Sequence, residues 1–288
     1  MNCLLLIIAL ALSTPGVGDE PKYPVSAIPA ELKEGANVVV REDAIVCKVL
    51  SPDKVLSKVR MVATIFNGKG KSYAKPAIGY DKHRKIVSMH AAVYDPSGKV
   101  IRKLKNNEIT DQSQFDGFSL YSDNRMKYFD LTQATYPYTI EIEYEMEYKS
   151  AMYLSGSYVY AEENVSVEKW SYQIEYRNDA APRLKLINLD LVPQTEKTSD
   201  GLTVMKWTLE NVKPIKFEPH GPPEDELTPY IKAEPSKFSF DGYDGDMSTW
   251  RDYGKWQITL NEGRSELPEE TKAKVRTLTK SLTSDEDK

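Results

Sequence analysis

The chain has 288 residues, 40% of them hydrophobic and 28% charged, with a formal net charge of −5. That composition suits a globular protein large enough for one big domain or two modest ones. A slight acidic excess with no basic run argues against a nucleic-acid partner, and beyond the N-terminus no stretch approaches the ~18 apolar residues of a membrane span.

Residues 4–12 read LLLIIALAL and are followed by Ser13-Thr14-Pro15-Gly16-Val17-Gly18 and then charge. An apolar run of this length before small, turn-forming residues predicts a secretory signal peptide over residues 1–18. No lysine or arginine precedes the run, and a short buried helix is the competing reading. Cleavage there discards Cys3 and leaves Cys47 alone, so no internal disulfide is expected. The expected location is exported, either periplasmic or secreted.

From residue 22 the pattern is one of strands. Residues 23–28, broken by Pro24 and flanked by Pro29, are a lead-in. Residues 38–40 and 44–49 read as two short strands split by Arg41-Glu42-Asp43, and residues 57–66 as a third, closed by Asn67-Gly68-Lys69-Gly70. Residues 85–94 are apolar on both faces, which predicts a central strand covered on both sides. Asp95-Pro96-Ser97-Gly98 has the residues of a β-turn and leads into 100–104 as a hairpin.

The segment 111–127 (DQSQFDGFSLYSDNRMK) has no period and is expected to be a long loop. It carries Phe115, Phe118 and Tyr121, a candidate recognition surface, since rigid β scaffolds present their binding residues on such loops. The alternative is that these rings cover an end of the domain. Residues 138–148 (YTIEIEYEMEY) then alternate strictly, with Tyr138, Ile140, Ile142, Tyr144, Met146 and Tyr148 on one face. The other face carries four glutamates and is expected to be solvated.

Residues 165–176, 183–186 and 204–209 add further alternating strands. The proline-rich segment 213–235 should run extended, with Ile215, Phe217, Tyr230 and Ile231 to bury. At Asp246-Met247-Ser248 the spacing turns helical, with Trp250, Tyr253, Trp256 and Leu260 three and four apart and Asp246 as the expected cap. A second helix starts at Pro268 and stripes Val275, Leu278 and Leu282 on one side.

No catalytic constellation is legible. Cys47 sits mid-strand among Val46, Lys48 and Val49, the setting of a buried small hydrophobe. His83, His90 and His220 lack metal-ligand spacing. The turn 241–246 (DGYDGD) gathers three carboxylates without the full pattern of a calcium loop. Neither a cofactor nor a metal is expected.

Residues 240–270 (FDGYDGDMSTWRDYGKWQITLNEGRSELPEE) resemble the end of an uncharacterised exported β-sandwich family that stands N-terminal to bacterial transglutaminase-like domains. Ala36-Asn37-Val38-Val39-Val40, Val93-Tyr94-Asp95-Pro96-Ser97-Gly98-Lys99, the strand 138–148, Trp170-Ser171-Tyr172-Gln173 and residues 218–229 are similar in the same order. The family tends to have a glycine before the long strand, where this chain has Tyr136-Pro137-Tyr138. The resemblance implies an immunoglobulin-like sandwich and an accessory role, with the catalytic cysteine, histidine and aspartate on the next domain.

The expectation is therefore an all-β, immunoglobulin-like antiparallel β-sandwich over residues 22–245, with two C-terminal α-helices in 246–288 leading into a missing transglutaminase-like domain. The chain is expected to be a non-catalytic exported accessory or binding module, not an enzyme. Its partners would be that following domain and a protein or glycan ligand. The alternative is the N-terminal fragment of a cysteine-dependent transglutaminase-like or protease-like enzyme whose catalytic domain lies elsewhere. In the tail 283–288 a capping-box pattern, Thr283 with Glu286 and Ser284 with Asp287, has no helix after it. A frayed acidic tail is the other reading of those residues.

Overall fold

The strict alternation at 138–148 fixes one strand, and the rest of the domain builds outward from it. A computed structural model describes residues 21–288 except 115–116, 118–121, 155, 160–161, 215–217, 219, 265, 285 and 287–288. The expected signal peptide therefore lies outside the described residues. In chain order the elements are α1 (Ala30–Lys33), β1 (Val38–Ser51), β2 (Lys54–Ile65), β3 (Ala77–Tyr80), β4 (Arg84–Tyr94), β5 (Val100–Lys103), β6 (Thr110–Ser113) and β7 (Arg125–Tyr128). Then come β8 (Tyr138–Tyr148), β9 (Ser157–Tyr158), β10 (Val165–Tyr176), β11 (Arg183–Ile187), β12 (Gln194–Lys197) and β13 (Thr203–Val212). The C-terminal part holds α2 (Glu224–Leu227), β14 (Tyr230–Glu234), β15 (Lys237–Phe240), β16 (Tyr243–Asp246), α3 (Trp250–Asn261) and α4 (Glu269–Thr279).

The fold is mostly β with C-terminal helices, as the periodicity requires. Eight strands form one mixed sheet in the order β12-β13-β10-β1-β2-β8-β4-β5, and β11-β14-β9, β15-β16 and β3-β7-β6 form small sheets. The expectation of purely antiparallel pairing fails at one seam. There β1 and β10 run parallel, with Val38 opposite Val165 and Lys48 opposite Glu175. Parallel neighbours need a crossover, and here everything from β2 to β9 supplies it.

One face of the main sheet is the core. Tyr138, Ile140 and Ile142 of β8 meet Ile65, Ala63 and Met61 of β2, and β10 adds Trp170, Tyr172 and Ile174. The three β10 side chains are fully buried, each worth about 1.5–3 kcal/mol of transfer free energy. The indole of Trp170 donates to the Ser157 hydroxyl at 3.0 Å, which ties β9 to the main sheet. Gly156 beside it is forced by space: a β-carbon there would lie 1.6 Å from the Ile231 carbonyl oxygen.

The opposite face is not a simple wet surface. Strand β8 lies between β2 and β4, and its glutamates pair across to β2: Glu143 with Lys58 at 2.9 Å, Glu147 with Lys54 at 3.0 Å, and Glu141 with Arg60 at 2.6 Å. Arg60 also reaches Glu42 and donates to the Tyr23 hydroxyl, while Tyr94 donates to Glu141. Burial and the Glu141 carboxylate together push the Tyr94 phenol upward.

Several boundaries differ from expectation. Residues 38–51 are one strand, because the charges that seemed to break it are absorbed: Arg41 pairs with Glu168, Glu42 with Arg60, and a bulge at Val40/Glu42 takes up the extra residue. Strand β4 is covered on one side only. A bulge at Ile86/Ser88 turns Val87 outward, where it is 52% exposed. Asn67 opens a 3-10 helix, Gly68–Ala74, and caps it by accepting from Lys69 N. Helix α3 is capped by Thr249, which accepts from Asp252 N at 3.1 Å, while Asp246 ends β16. The proline-rich segment folds in part, as the turn α2 and strand β14, and buries Ile231 as its pattern requires. Among the described residues no helix is long and apolar enough to cross a membrane.

Candidate functional site

The two ends of the candidate recognition loop are paired strands. Strands β6 and β7 pair from Thr110/Tyr128 to Ser113/Arg125, and Gln114 N still donates to Asn124 O at 2.8 Å. The expected loop 111–127 is therefore paired at both ends: Asp111 to Ser113 is polar throughout, and the alternation of Arg125 to Tyr128 (RMKY) is too short to stand out in the sequence. Phe115, Phe118 and Tyr121 lie outside the described residues. What the structure does place is a clasp between the two paired ends.

That clasp is made of Tyr80, Asp111 and Arg125. The Tyr80 hydroxyl donates to Asp111 at 2.6 Å, Arg125 Nη2 lies 2.8 Å from the Asp111 carboxylate, and Arg125 Nε donates to the Tyr80 oxygen at 2.8 Å. The Tyr80 hydrogen bond and the guanidinium hold the Asp111 carboxyl below its usual range. Lys127 lies over the Tyr80 ring, 5.8 Å from its centroid. Three strands and a charge-assisted triad thus hold the two ends of the segment together.

A second candidate surface lies at the C-terminal end. Trp250, Tyr253, Trp256 and Phe238 form a chain of ring contacts at centroid distances of 6.3, 5.5 and 4.9 Å. Its inner end is core and its outer end is bare: Trp256 is 7% exposed and Trp250 is 89% exposed. The expected apolar stripe of α3 is therefore split, with Trp250 outside. Between the start of α3 and strands β11 and β14 runs a groove of about 540 Å3 lined by Arg183, Lys185, Lys232 and Glu234. Farther on, α4 buries no residue at all, and Val275 and Leu278 are exposed.

The residues weighed for chemistry are scattered. Cys47 is buried on the core face, its sulfur 3.7 Å from the Ser57 hydroxyl, and burial pushes the thiol up. His83 stacks on Phe240 at 4.8 Å with Asp241 3.7 Å away. His90 is on the outer face of β4 opposite Glu143, and His220 is in the segment before α2. The turn 241–246 is the β15–β16 hairpin, in which Asp241 faces Lys82 and His83. Among the described residues no three His, Cys, Asp or Glu side chains gather as a metal site.

Residues 53–216 match the family profile described as a domain of unknown function with a solved structure, DUF3857. That is more than half of the chain. This protein belongs to the DUF3857 family. The match begins just after β1, although β1 lies in the middle of the main sheet between β10 and β2. The structural unit of this DUF3857 protein is therefore larger than the matched segment. No curated protein matches the sequence.

Among solved structures, a protein from Parabacteroides distasonis described as a candidate protease is similar, with a TM-score of 0.64 and 16% identity. The likeness covers 87% of this chain and 48% of that one, so the DUF3857 chain spans about half of that protein's length. At this identity the likeness shows a shared fold. Weaker likenesses are Legionella pneumophila aminopeptidase A (TM-score 0.35, 14% identity, 74% of this chain and 22% of that one) and an M1 zinc metallopeptidase from Deinococcus radiodurans (0.34, 7%, 69% and 42%).

Proposed function

We propose that this chain is a non-catalytic, exported accessory module on which a following transglutaminase-like domain docks. The observation that carries it is α4. An 11-residue helix with no buried side chain is marginal in water on its own, and its exposed Val275 and Leu278 offer apolar side chains to a partner, as Ile258 at 72% and Trp250 at 89% exposure do on α3. The Parabacteroides protein, of which the likeness spans 48%, has room for such a domain. The apolar run at residues 4–12 supports export, and the long antiparallel ladder β1-β2-β8-β4 supports an immunoglobulin-like classification.

The site chemistry agrees with an accessory role. The single cysteine of the described residues, Cys47, faces the core beside Ser57 with its thiol pushed up, the reverse of what activation requires. The segment 111–127 is the ligand-binding part of the proposal, with Phe118 and Tyr121 as contact residues. Phe118→Ala and Tyr121→Ala should weaken capture of a protein or glycan without lowering stability.

Hydrogen exchange decides the docking. The amides of α4 should exchange rapidly in this chain and slowly when a transglutaminase-like domain is joined to it. Equal exchange in both would remove the basis for the reading. The purified chain should neither hydrolyse nor cross-link amides, and activity abolished by Cys47→Ala would overturn the assignment.

A further inference from the structure

A separate groove is floored by the core face of the main sheet, where β1, β2 and β8 lie side by side, and walled by the 3-10 helix Gly68–Ala74 and β3. Its volume is about 410 Å3, within the range of small-ligand sites. Neither α3 nor α4 lines it, so it is independent of the docking surface.

Asp43 lies on its floor, only 5% exposed. Among the described residues it has no hydrogen-bond or ion-pair partner, and burial alone acts on its charge. A carboxylate at that depth ordinarily has a cation beside it, as Arg41 has Glu168 two residues earlier in the strand. Asp43 has apolar neighbours instead: across the sheet it pairs with Met61 on β2 and Trp170 on β10.

The lining completes a pattern. Ile45, Val59 and Ile142 of the sheet face Pro76 and Ile78 across the groove, leaving a slot with aliphatic sides. Glu162, exposed and outside every ion pair of the described residues, places a second carboxylate at the rim. Among the described residues the other titratable side chains there are Tyr73 and Tyr144, and no described lysine, arginine or histidine lines the groove. Such a site repels anions. Two carboxylates among hydrocarbon also give a hard metal ion too few oxygen ligands. An ammonium group on a methylene chain satisfies every part of it: a charge for the floor, hydrocarbon for the walls, and attraction at the mouth.

We infer that this groove binds a primary alkylammonium, its charged end on Asp43 and its methylenes along the aliphatic walls, supplied either as a free amine or as a lysine side chain of a peptide. Burial pushes the Asp43 carboxyl up to about 7, whereas alkylamines stay protonated well above that. Binding requires the ionised carboxylate. Affinity therefore falls roughly tenfold per pH unit below about 7 and levels off above it.

Calorimetric titration of the whole chain with hexylamine, 1,5-diaminopentane and Nα-acetyl-lysine methylamide, beside 1-hexanol and hexanoate, tests this. Saturable one-to-one binding of an amine is expected, at least tenfold weaker in Asp43→Asn, weakened less in Glu162→Gln, and absent for the alcohol and the acid. Preference for the diamine identifies a free amine as the source, and preference for the lysine derivative identifies a peptide. In the unmodified protein the 13C titration of the Asp43 carboxyl gives the same answer without a variant, its midpoint moving down when amine is present. Hexanol binding as well as hexylamine, affinity unaffected by Asp43→Asn, or no saturable response to any amine would overturn the inference.

Discussion

Asp43→Asn should make the protein more stable, and increasingly so as the pH rises. The carboxyl titrates at 3.8 in the unfolded chain and at about 7 when folded, because burial disfavours its charge. Between those values the native state holds a proton that the unfolded state has released, so stability falls as pH rises. The gap is roughly three pH units, and at 1.36 kcal/mol each the full loss is about 4 kcal/mol, complete above about pH 7 and absent below about pH 4. Asparagine has nearly the same shape and does not titrate. The difference in unfolding free energy between variant and parent should thus grow from near zero at about pH 4 to about 4 kcal/mol at about pH 8. Urea unfolding of both proteins across that range measures it. Only the difference is informative, because other carboxylates slope the opposite way. Asp130, for example, is held at about 2 by Thr132 and Lys75 despite partial burial, and loses its stabilising effect as pH falls. A difference that does not change with pH, or that shrinks as pH rises, would refute an uncompensated charge at this position.

Packing fixes the remaining outcomes. Trp170→Phe removes the indole donor from Ser157 at the β9 junction and should cost about 1–3 kcal/mol by denaturant unfolding. Gly156→Ala drives a methyl into the Ile231 carbonyl and should exceed about 4 kcal/mol, whereas Gly254→Ala in α3, with nothing within 4 Å, should stabilise by up to about 1 kcal/mol. Cys47→Ala should cost about 1 kcal/mol, and in the native protein the thiol should react with an aromatic disulfide reagent only as fast as the sheet opens.

The strand at 138–148 was legible because one whole face of it is core, so period two survives along its full length. Strands β1 and β4 were misjudged for the opposite reason. A bulge breaks parity at Val40/Glu42 and again at Ile86/Ser88, and the partners that neutralise Arg41 and Glu42 come from distant strands. The parallel seam left no local trace, since β1 and β10 alternate no differently from antiparallel strands. Of the candidate sites, the segment 111–127 reads as a loop whose paired ends leave too short a pattern to see, and Phe115, Phe118 and Tyr121 lie outside the described residues. Asp43 was passed over as part of a charged break. Its signal was the parity of Ile45, Cys47 and Val49, which puts residue 43 on the inward face. What makes it a site, the roof from the 3-10 helix and β3, is remote in sequence and could not be read locally.

The parallel seam also makes the chain divisible. Strands β1 and β10 are neighbours in the sheet, yet the hairpin β1–β2 with β8 and β4 forms one ladder and β10 with β13 and β12 forms another, and the main sheet joins them only along that line. Cut near residue 162, the chain would give two pieces, each ending in a long unpaired edge shaped to accept the other. Such edges favour reassembly when the halves are mixed and aggregation when either is alone. The domain thus offers a natural break point for a two-part reporter, in which recovery of the fold reads out the meeting of its halves.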